Sequence, residues 1–274
     1  MLSIDESKCN KDSLCALECP ARLIRMGDGD GFPEAIEGAQ EICIGCGHCV
    51  AVCPEGALSH QSVPIEDCPP IQKELFINEQ QAAQFLRHRR SIRVYRDKPV
   101  EKEKIQRLIE LARYGPTGSN TQMVEWLVFN DSGKVKHLSG LTAEWIREVL
   151  QGDPAKAPYP VDRLRIFLEG WDNGVDTILR GAPAVVVAIA PEDVGNQMVD
   201  PTIALTYFEL AAPTLGLGTC WAGLLVRGLR NSRLLREAVG LTDRYPFYYP
   251  MMVGYPKFNY HRLPERRPPR IIWK

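Results

Sequence analysis

One run of residues limits this chain more than any other: Cys43-Ile44-Gly45-Cys46-Gly47-His48-Cys49-Val50-Ala51-Val52-Cys53-Pro54, a C-x2-C-x2-C-x3-C-P pattern. Soft thiolates at this spacing converge on a compact inorganic cluster. Three come from one tight loop, and the fourth points away to ligate the other cluster of a two-cluster domain. Gly45 and Gly47 let the loop fold closely round the sulfides, and Pro54 stops the chain continuing as a helix. Zinc sites of four cysteines use two well-separated C-x2-C pairs instead, so this spacing points to an iron–sulfur cubane.

The same spacing occurs a second time. The run places cysteines at relative positions 0, 3, 6 and 10; Cys9, Cys15 and Cys19 fill positions 0, 6 and 10, and Asp12 stands at position 3. Two such copies form an internal repeat. With the last cysteine of each copy crossing to the other, one 4Fe-4S cluster is expected on Cys43, Cys46, Cys49 and Cys19. The other is expected on Cys9, Cys15 and Cys53, with Asp12 at the fourth iron. A carboxylate is a harder ligand than a thiolate and holds iron less firmly, so this second cluster is either an Asp-ligated 4Fe-4S cluster or a 3Fe-4S cluster. Cys68, in Glu66-Asp67-Cys68-Pro69-Pro70, lies beyond the repeat and is read as no ligand. His48 is read as a residue at the solvent edge.

Composition narrows the class. The 274 residues are 45% hydrophobic, enough for a small and a medium domain with a substantial core. A formal net charge of -1 gives no global field that would direct the chain to nucleic acid or to a membrane. The nine cysteines could suit a secreted disulfide framework. However, Met1-Leu2-Ser3-Ile4-Asp5-Glu6-Ser7-Lys8 has no apolar signal region, and all but Cys68 and Cys220 lie at ligand spacing, so a reducing cytoplasm is expected. The longest apolar stretch, 203–226, carries Glu209 and Pro213 and is read as a buried helix and following loop, not a membrane span.

Residues 1–62 are expected to form the iron–sulfur domain, and 63–76, with Pro64, Pro69 and Pro70, a semi-rigid linker. The second domain is expected over 77–274. Asn78, with Gln81 three residues on, predicts a capped helix through Phe85, Leu86 and His88. It ends in Arg89-Arg90-Ser91-Ile92-Arg93, where planar guanidinium forks and a hydroxyl suit a phosphate monoester. No aromatic interleaving supports nucleic acid here. Ile105, Leu108, Ile109 and Ala112 predict an amphipathic helix over 101–113, stopped by Gly115-Pro116. A loop of small residues, 115–122, leads to a strand at Trp126–Phe129.

Residues 131–180 are read as a variable insertion covering an active site, with helices near 141–150 and through Trp171. Turns are placed at Gly152-Asp153-Pro154 and Pro158-Tyr159-Pro160. The continuous apolar run 184–190, rich in β-branched residues, predicts a strand buried on both faces. A central helix at 203–215, a strand at 251–256 and a basic tail at 262–270 complete the pattern. The glycine-rich 216–223 follows a helix, which is the wrong context for a dinucleotide fingerprint.

The arginine–serine run, the small-residue loop, the central helix with its glycine-rich exit, and Val253-Gly254-Tyr255-Pro256 occur in one order. In that order, residues 78–274 resemble the FMN-dependent nitroreductase family. Together with the cysteine repeat, the chain resembles ferredoxin–nitroreductase fusions. The resemblance implies an α+β fold class: a small ferredoxin-like two-cluster domain, then a domain with a central, mainly antiparallel sheet flanked by helices. It further implies a homodimer with FMN at the subunit interface.

By the same resemblance, Arg89, Arg90, Ser91 and Arg93 would hold the FMN phosphate and ribityl chain. Pro116, Thr117, Gly118 and Asn120 would contact the flavin, the first three from the other subunit. The backbone of Cys220, Trp221, Ala222 and Gly223 would lie along the isoalloxazine edge, and Arg266 or Arg267 would complete the phosphate cluster. The family's Gln-Pro-Trp stands here as Gln122-Met123-Val124, with Trp126 two residues late. No side chain need act as nucleophile, because the chemistry belongs to flavin N5.

The implied activity is reduction of a nitroaromatic, quinone or enone acceptor. Electrons would come from a reduced carrier such as ferredoxin or flavodoxin, through the clusters, to FMN. The alternative is an electron-transfer or redox-sensing iron–sulfur flavoprotein acting on a protein partner.

Overall fold

The structure, a computed structural model, describes residues 1–153, 157, 159–192 and 195–274. Pro154 and Pro158, read as turn residues, lie outside them. The chain forms two compact units: Met1–Ile77 with Ser119–Thr121, and Asn78–Gly118 with Gln122–Lys274.

The first unit is built from short elements because most of its residues are spent on loops. Strand β1 (Leu2–Ile4) pairs antiparallel with β4 (Leu58–His60), and β2 (Ile24–Met26) with β3 (Pro33–Ala35). Helices α1 (Leu14–Glu18), α2 (Ala39–Ile42) and α3 (His48–Ala51) each last about one turn. The sequence repeat reappears in the elements. A shift of 34 positions, which carries Cys9 to Cys43 and Cys19 to Cys53, also carries the start of α1 onto that of α3 and β2 onto β4. Cys15, Ile24, Val50 and Leu58 form the small core, on which Ile65 and Cys68 also pack. A core of this size needs staples such as metal ligation.

The second unit is a four-stranded sheet with helices on both faces. Helices α4 (Glu79–His88) and α5 (Lys102–Ala112) precede strand β5 (Glu125–Phe129), and α6 (Ser132–Gln151) and α7 (Val161–Asp172) precede β6 (Ala184–Ala190). Then come α8 (Val199–Ala211), β7 (Gly218–Trp221), α9 (Gly223–Asn231), α10 (Arg233–Val239) and β8 (Phe247–Gly254). The strand order is β5-β6-β8-β7, and every pair is antiparallel.

Every residue of β6 is buried, as its continuous apolar run, rich in β-branched residues, predicts. Its period of two divides the core. Val185, Val187 and Ile189 pack with Leu138, Trp145 and Ile146 of α6 and Leu225 of α9, whereas Ala184, Val186 and Ala188 pack with Leu108 of α5 and Phe208 of α8. Each buried valine or isoleucine contributes roughly 1.5–3 kcal/mol of transfer free energy. Helix α4 carries the expected capping box: Asn78 accepts from the Gln81 N–H, and Gln81 accepts from the Asn78 N–H, each at 2.9 Å.

Three sequence expectations are corrected. Helix α6 begins at Ser132, not near 141, because the Asp131 carboxylate accepts from the Lys134 N–H at 2.8 Å and caps it. With Val135, Leu138, Trp145 and Ile146 buried, α6 is framework rather than covering insertion. The central helix gives way at Ala212–Leu215 to a 3-10 turn containing Pro213, which lacks the N–H a continuing α-helix needs. The segment 216–223, read as a loop, contains β7, paired from Gly218↔Gly254 to Trp221↔Met251. No helix among the described residues is long and apolar enough to cross a membrane.

Candidate functional site

The first unit contains two cavities, each lined by a crossed cysteine set. Cys19 joins Cys43, Cys46 and Cys49 at one, and Cys53 joins Cys9, Asp12 and Cys15 at the other. Gly47, which leads into α3, has φ +73°, and a Cβ there would stand 3.1 Å from Val63. A side chain at this position would be both strained and crowded.

Backbone amides already point at sulfur: Leu23 N–H to Cys19 Sγ at 3.3 Å, Gly45 N–H to Cys43 Sγ at 3.5 Å, and Ala57 N–H to Cys53 Sγ at 3.3 Å. Burial pushes the Cys15 thiol up and the Cys49 thiol to about 11. A bound metal would have to displace these protons, because the thiolate is the ligand, and the fit to a cluster rests on soft donors grouped at two cavities with backbone amides aimed at their sulfurs. Among the described residues, no three His, Cys, Asp or Glu side chains close on a single-ion site. Thiolates placed round a multi-iron core stand farther apart than the ligands of one ion.

Asp12 is oriented by its own backbone neighbourhood: its Oδ1 accepts from the Leu14 N–H at 3.0 Å, at the start of α1. Cys68 lines neither cavity and donates its thiol to the Pro64 carbonyl at 3.4 Å. His48 is exposed at the rim of the first cavity. His60, which sequence reasoning passed over, is buried at that same cavity with Nε2 3.5 Å from Cys43 Sγ.

In the second unit the arginine run is strapped to the end of the sheet. Ile92 N–H donates to the Thr219 carbonyl of β7 at 2.8 Å, and Arg96 N–H to the Tyr255 carbonyl at 2.8 Å. Tyr95 is buried, and its hydroxyl donates to the Ile92 carbonyl at 2.8 Å. A cavity of about 520 Å³, within the usual ligand range, takes in Arg89, Arg90, Gly218 and Thr219 but not Ser91, Arg93 or Trp221.

Arg89 and Trp221 share an acceptor. Glu209 of α8 accepts from Arg89 Nη1 at 2.9 Å and from Trp221 Nε1 at 3.0 Å. Arg90 lies over the Tyr260 ring, 5.8 Å from its centroid. Burial pushes the Cys220 thiol up, against the pull of the Arg93 and Arg180 guanidinium groups and the Ser91 hydroxyl. That favours an inert thiol. Ala222 N–H donates to the Pro250 carbonyl at 3.0 Å, and Gly223 opens α9.

The loop after Pro116 is held by two devices. Asp200, buried at the start of α8, accepts from the Gly118 N–H at 3.1 and 3.2 Å, while Thr117 Oγ1 accepts from the Gln122 N–H at 3.0 Å. A Cβ on Gly118 would stand 2.8 Å from the Gly195 backbone, so only glycine fits that approach. Asn120 belongs to the first unit, and its amide donates to the Ile44 and Gly45 carbonyls at 3.0 and 3.1 Å. Trp126 stacks on Phe208 at 5.5 Å and is a core residue. Arg266 and Arg267 are exposed on the tail, whose Glu265 accepts from Arg87 at 3.2 Å.

Residues 7–58 match a 4Fe-4S dicluster domain, and residues 86–255 match the nitroreductase family. The 7Fe ferredoxin of Hydrogenibacillus schlegelii is 38% identical over 64 residues, 23% of this chain and 76% of that one. An NAD(P)H FMN reductase of Bacillus subtilis is 30% identical over 177 residues, and the match spans 61% of this chain and 62% of that protein. A nitroreductase with bound FMN from Bacteroides fragilis has the same fold, with a TM-score of 0.55 and 19% identity over 72% of this chain and 100% of that one. The chain therefore belongs to the nitroreductase family and carries a 4Fe-4S dicluster domain ahead of its family region.

Proposed function

We propose that this chain is a reductase in which iron–sulfur clusters supply single electrons and FMN supplies two-electron transfer, from N5, to a small nitroaromatic, quinone or enone acceptor. The observation that carries this reading is the pair of crossed cysteine sets, in one chain with a nitroreductase fold. The FMN bound to the Bacteroides fragilis relative supports the choice of flavin.

Each residue set has a defined task. Cys19, Cys43, Cys46 and Cys49 would hold one cluster, and Cys9, Cys15, Cys53 and Asp12 the other. Because one Asp12 oxygen is engaged by the Leu14 N–H, a single oxygen is left for the fourth iron, which favours a labile site. Glu209 neutralises Arg89, so the charge offered to a phosphate rests on Arg90 and Arg93, with Ser91 donating a further bond and Arg266 or Arg267 completing the cluster. Arg89 then acts by position.

The backbone from Cys220 to Gly223 would lie along the flavin edge; because Cys220 and Ala222 turn their N–H groups to β8, those of Trp221 and Gly223, at the positive end of α9, would stabilise negative charge there. Pro116, Thr117 and Gly118 would cover the flavin from the partner subunit of a homodimer, and Asn120 would contact it too. A reduced ferredoxin- or flavodoxin-like carrier would donate electrons in a reducing cytoplasm.

The test is anaerobic turnover of a nitroaromatic with reduced ferredoxin as donor, in wild type and in Cys46→Ala and Cys49→Ala variants that retain FMN. Loss of donor-linked turnover in the variants is the expected result. Equal turnover in all three would refute the relay.

A further inference from the structure

The repeat in the first unit makes its own control. The 34-residue shift that superposes the two cysteine runs pairs Ile24 of β2 with Leu58 of β4, and Met26 with His60. Where one copy ends its strand on a thioether, the other ends on an imidazole. His60 is 6% exposed and lines the cavity of Cys19, Cys43, Cys46 and Cys49, whereas Met26 does not line the other cavity.

The ring of His60 is held from both sides. Ser62 N–H donates to Nδ1 at 3.0 Å, so Nδ1 is the acceptor nitrogen and the hydrogen of the neutral ring sits on Nε2. Nε2 lies 3.5 Å from Cys43 Sγ. The backbone around it is closed by the Val63 N–H donating to the His60 carbonyl at 2.9 Å and by the Leu2↔His60 pairing with β1. Amide donors to sulfur occur at both cavities, through Leu23 and Gly45 at one and Ala57 at the other. Among the described residues, the side-chain donor to a cysteine of these sets is His60.

We propose that His60 is a positioning residue for the cluster of Cys19, Cys43, Cys46 and Cys49: its Nε2–H donates to the Cys43 thiolate and raises that cluster's reduction potential relative to its repeat partner. This rests on the cluster assignment above. Reduction adds negative charge to the cluster and its sulfur ligands, so a fixed N–H dipole aimed at one of them stabilises the reduced form more than the oxidised form.

The experiment is an EPR-monitored redox titration of the anaerobic full chain, with iron and sulfide counted on every sample. For His60→Leu, the reduced-to-oxidised ratio of this cluster at the wild-type midpoint is expected to fall about tenfold, a downward shift of about 59 mV for a one-electron couple. His60→Gln, which keeps an N–H donor, should recover most of it. The cluster of Cys9, Cys15 and Cys53 should not move. Unchanged potentials in both variants, or equal shifts of both clusters, would overturn the proposal.

If His60→Leu fails to load iron, 15N-histidine-labelled protein carrying His48→Ala, which removes the other histidine lining this cavity, decides instead. Imidazole 15N coupling to the reduced cluster supports the bond, and its absence overturns it. Wild-type protein without iron and sulfide would overturn the cluster assignment itself, and the proposal with it.

Discussion

Replacing Glu209 with alanine tests whether this carboxylate joins two parts of the candidate flavin site. Its side chain is 6% exposed, while that of its partner Arg89 is 27% exposed. Breaking a buried ion pair from one side costs about 3–5 kcal/mol. Water reaching the partly exposed Arg89 offsets some of this, but the Trp221 N–H is left without its acceptor, which adds roughly 1–2 kcal/mol. A net loss of roughly 3–4 kcal/mol follows, or about 6–16 °C in Tm for a unit of this size. Glu209→Gln should cost about half as much, since one oxygen remains for one donor while the new amide faces the other.

The assay is thermal unfolding of flavin-free protein at fixed concentration, read by tryptophan fluorescence and far-ultraviolet circular dichroism. A double-mutant cycle with Arg89→Ala isolates the pair and should return a coupling of about 1 kcal/mol or more. A Tm within about 2 °C of wild type, or an additive cycle, would refute the reasoning.

Three further outcomes are expected. Arg93→Ala should weaken FMN retention about tenfold or more, because bonds to charged groups contribute about 1.5–3 kcal/mol. Arg87→Ala, which loses an exposed pair with Glu265, should stay within about twofold by fluorescence-monitored dialysis. Asp12→Cys should give about eight irons per chain and abolish any 3Fe EPR signal, and about seven irons with the signal retained would argue against placing residue 12 at the fourth iron. The Tyr255 hydroxyl donates to Glu101 and, with the Glu101 backbone N–H and Lys98, holds that carboxyl down at about 2. Its contribution to stability is present above the ordinary carboxylate range and is lost as the pH falls through that range toward 2. Tyr255→Phe should return the Glu101 titration toward its ordinary value by carboxyl 13C NMR, and an unmoved curve would show that Lys98 suffices.

Local spacing made part of this molecule legible. The grouping of the cysteines that line the two cavities could be read because cysteines at fixed offsets admit few arrangements, and β6 could be read because a continuous apolar run rich in β-branched residues suits a strand covered on both faces. What stayed hidden depends on partners far away in sequence. Nothing near Glu209 announces Arg89, 120 positions earlier. Asp200 looks like any first-turn acid until the Gly118 amide reaches it. Strand β7 is short and lies within the glycine-rich stretch 216–223, and its pairing with β8 makes it a strand. His60 resembles any strand-end polar residue until the two copies are laid on each other.

The position of β6 and β8 in the sheet has a consequence for synthesis. The first unit closes its strand pair β1 with β4 before any strand of the second unit is made, so its cysteines can gather ahead of that sheet. In the second unit, β6 is flanked by β5 and β8, and within the sheet β8 joins β7 to the other strands. β8 ends at Gly254. The strands that must meet are separated by long stretches of chain, the arrangement that folds slowly. On a ribosome, β6 therefore lacks one of its two neighbours until β8, which follows α10, has been made. Gathering of the cysteines and closure of the sheet are thus separated by chain order.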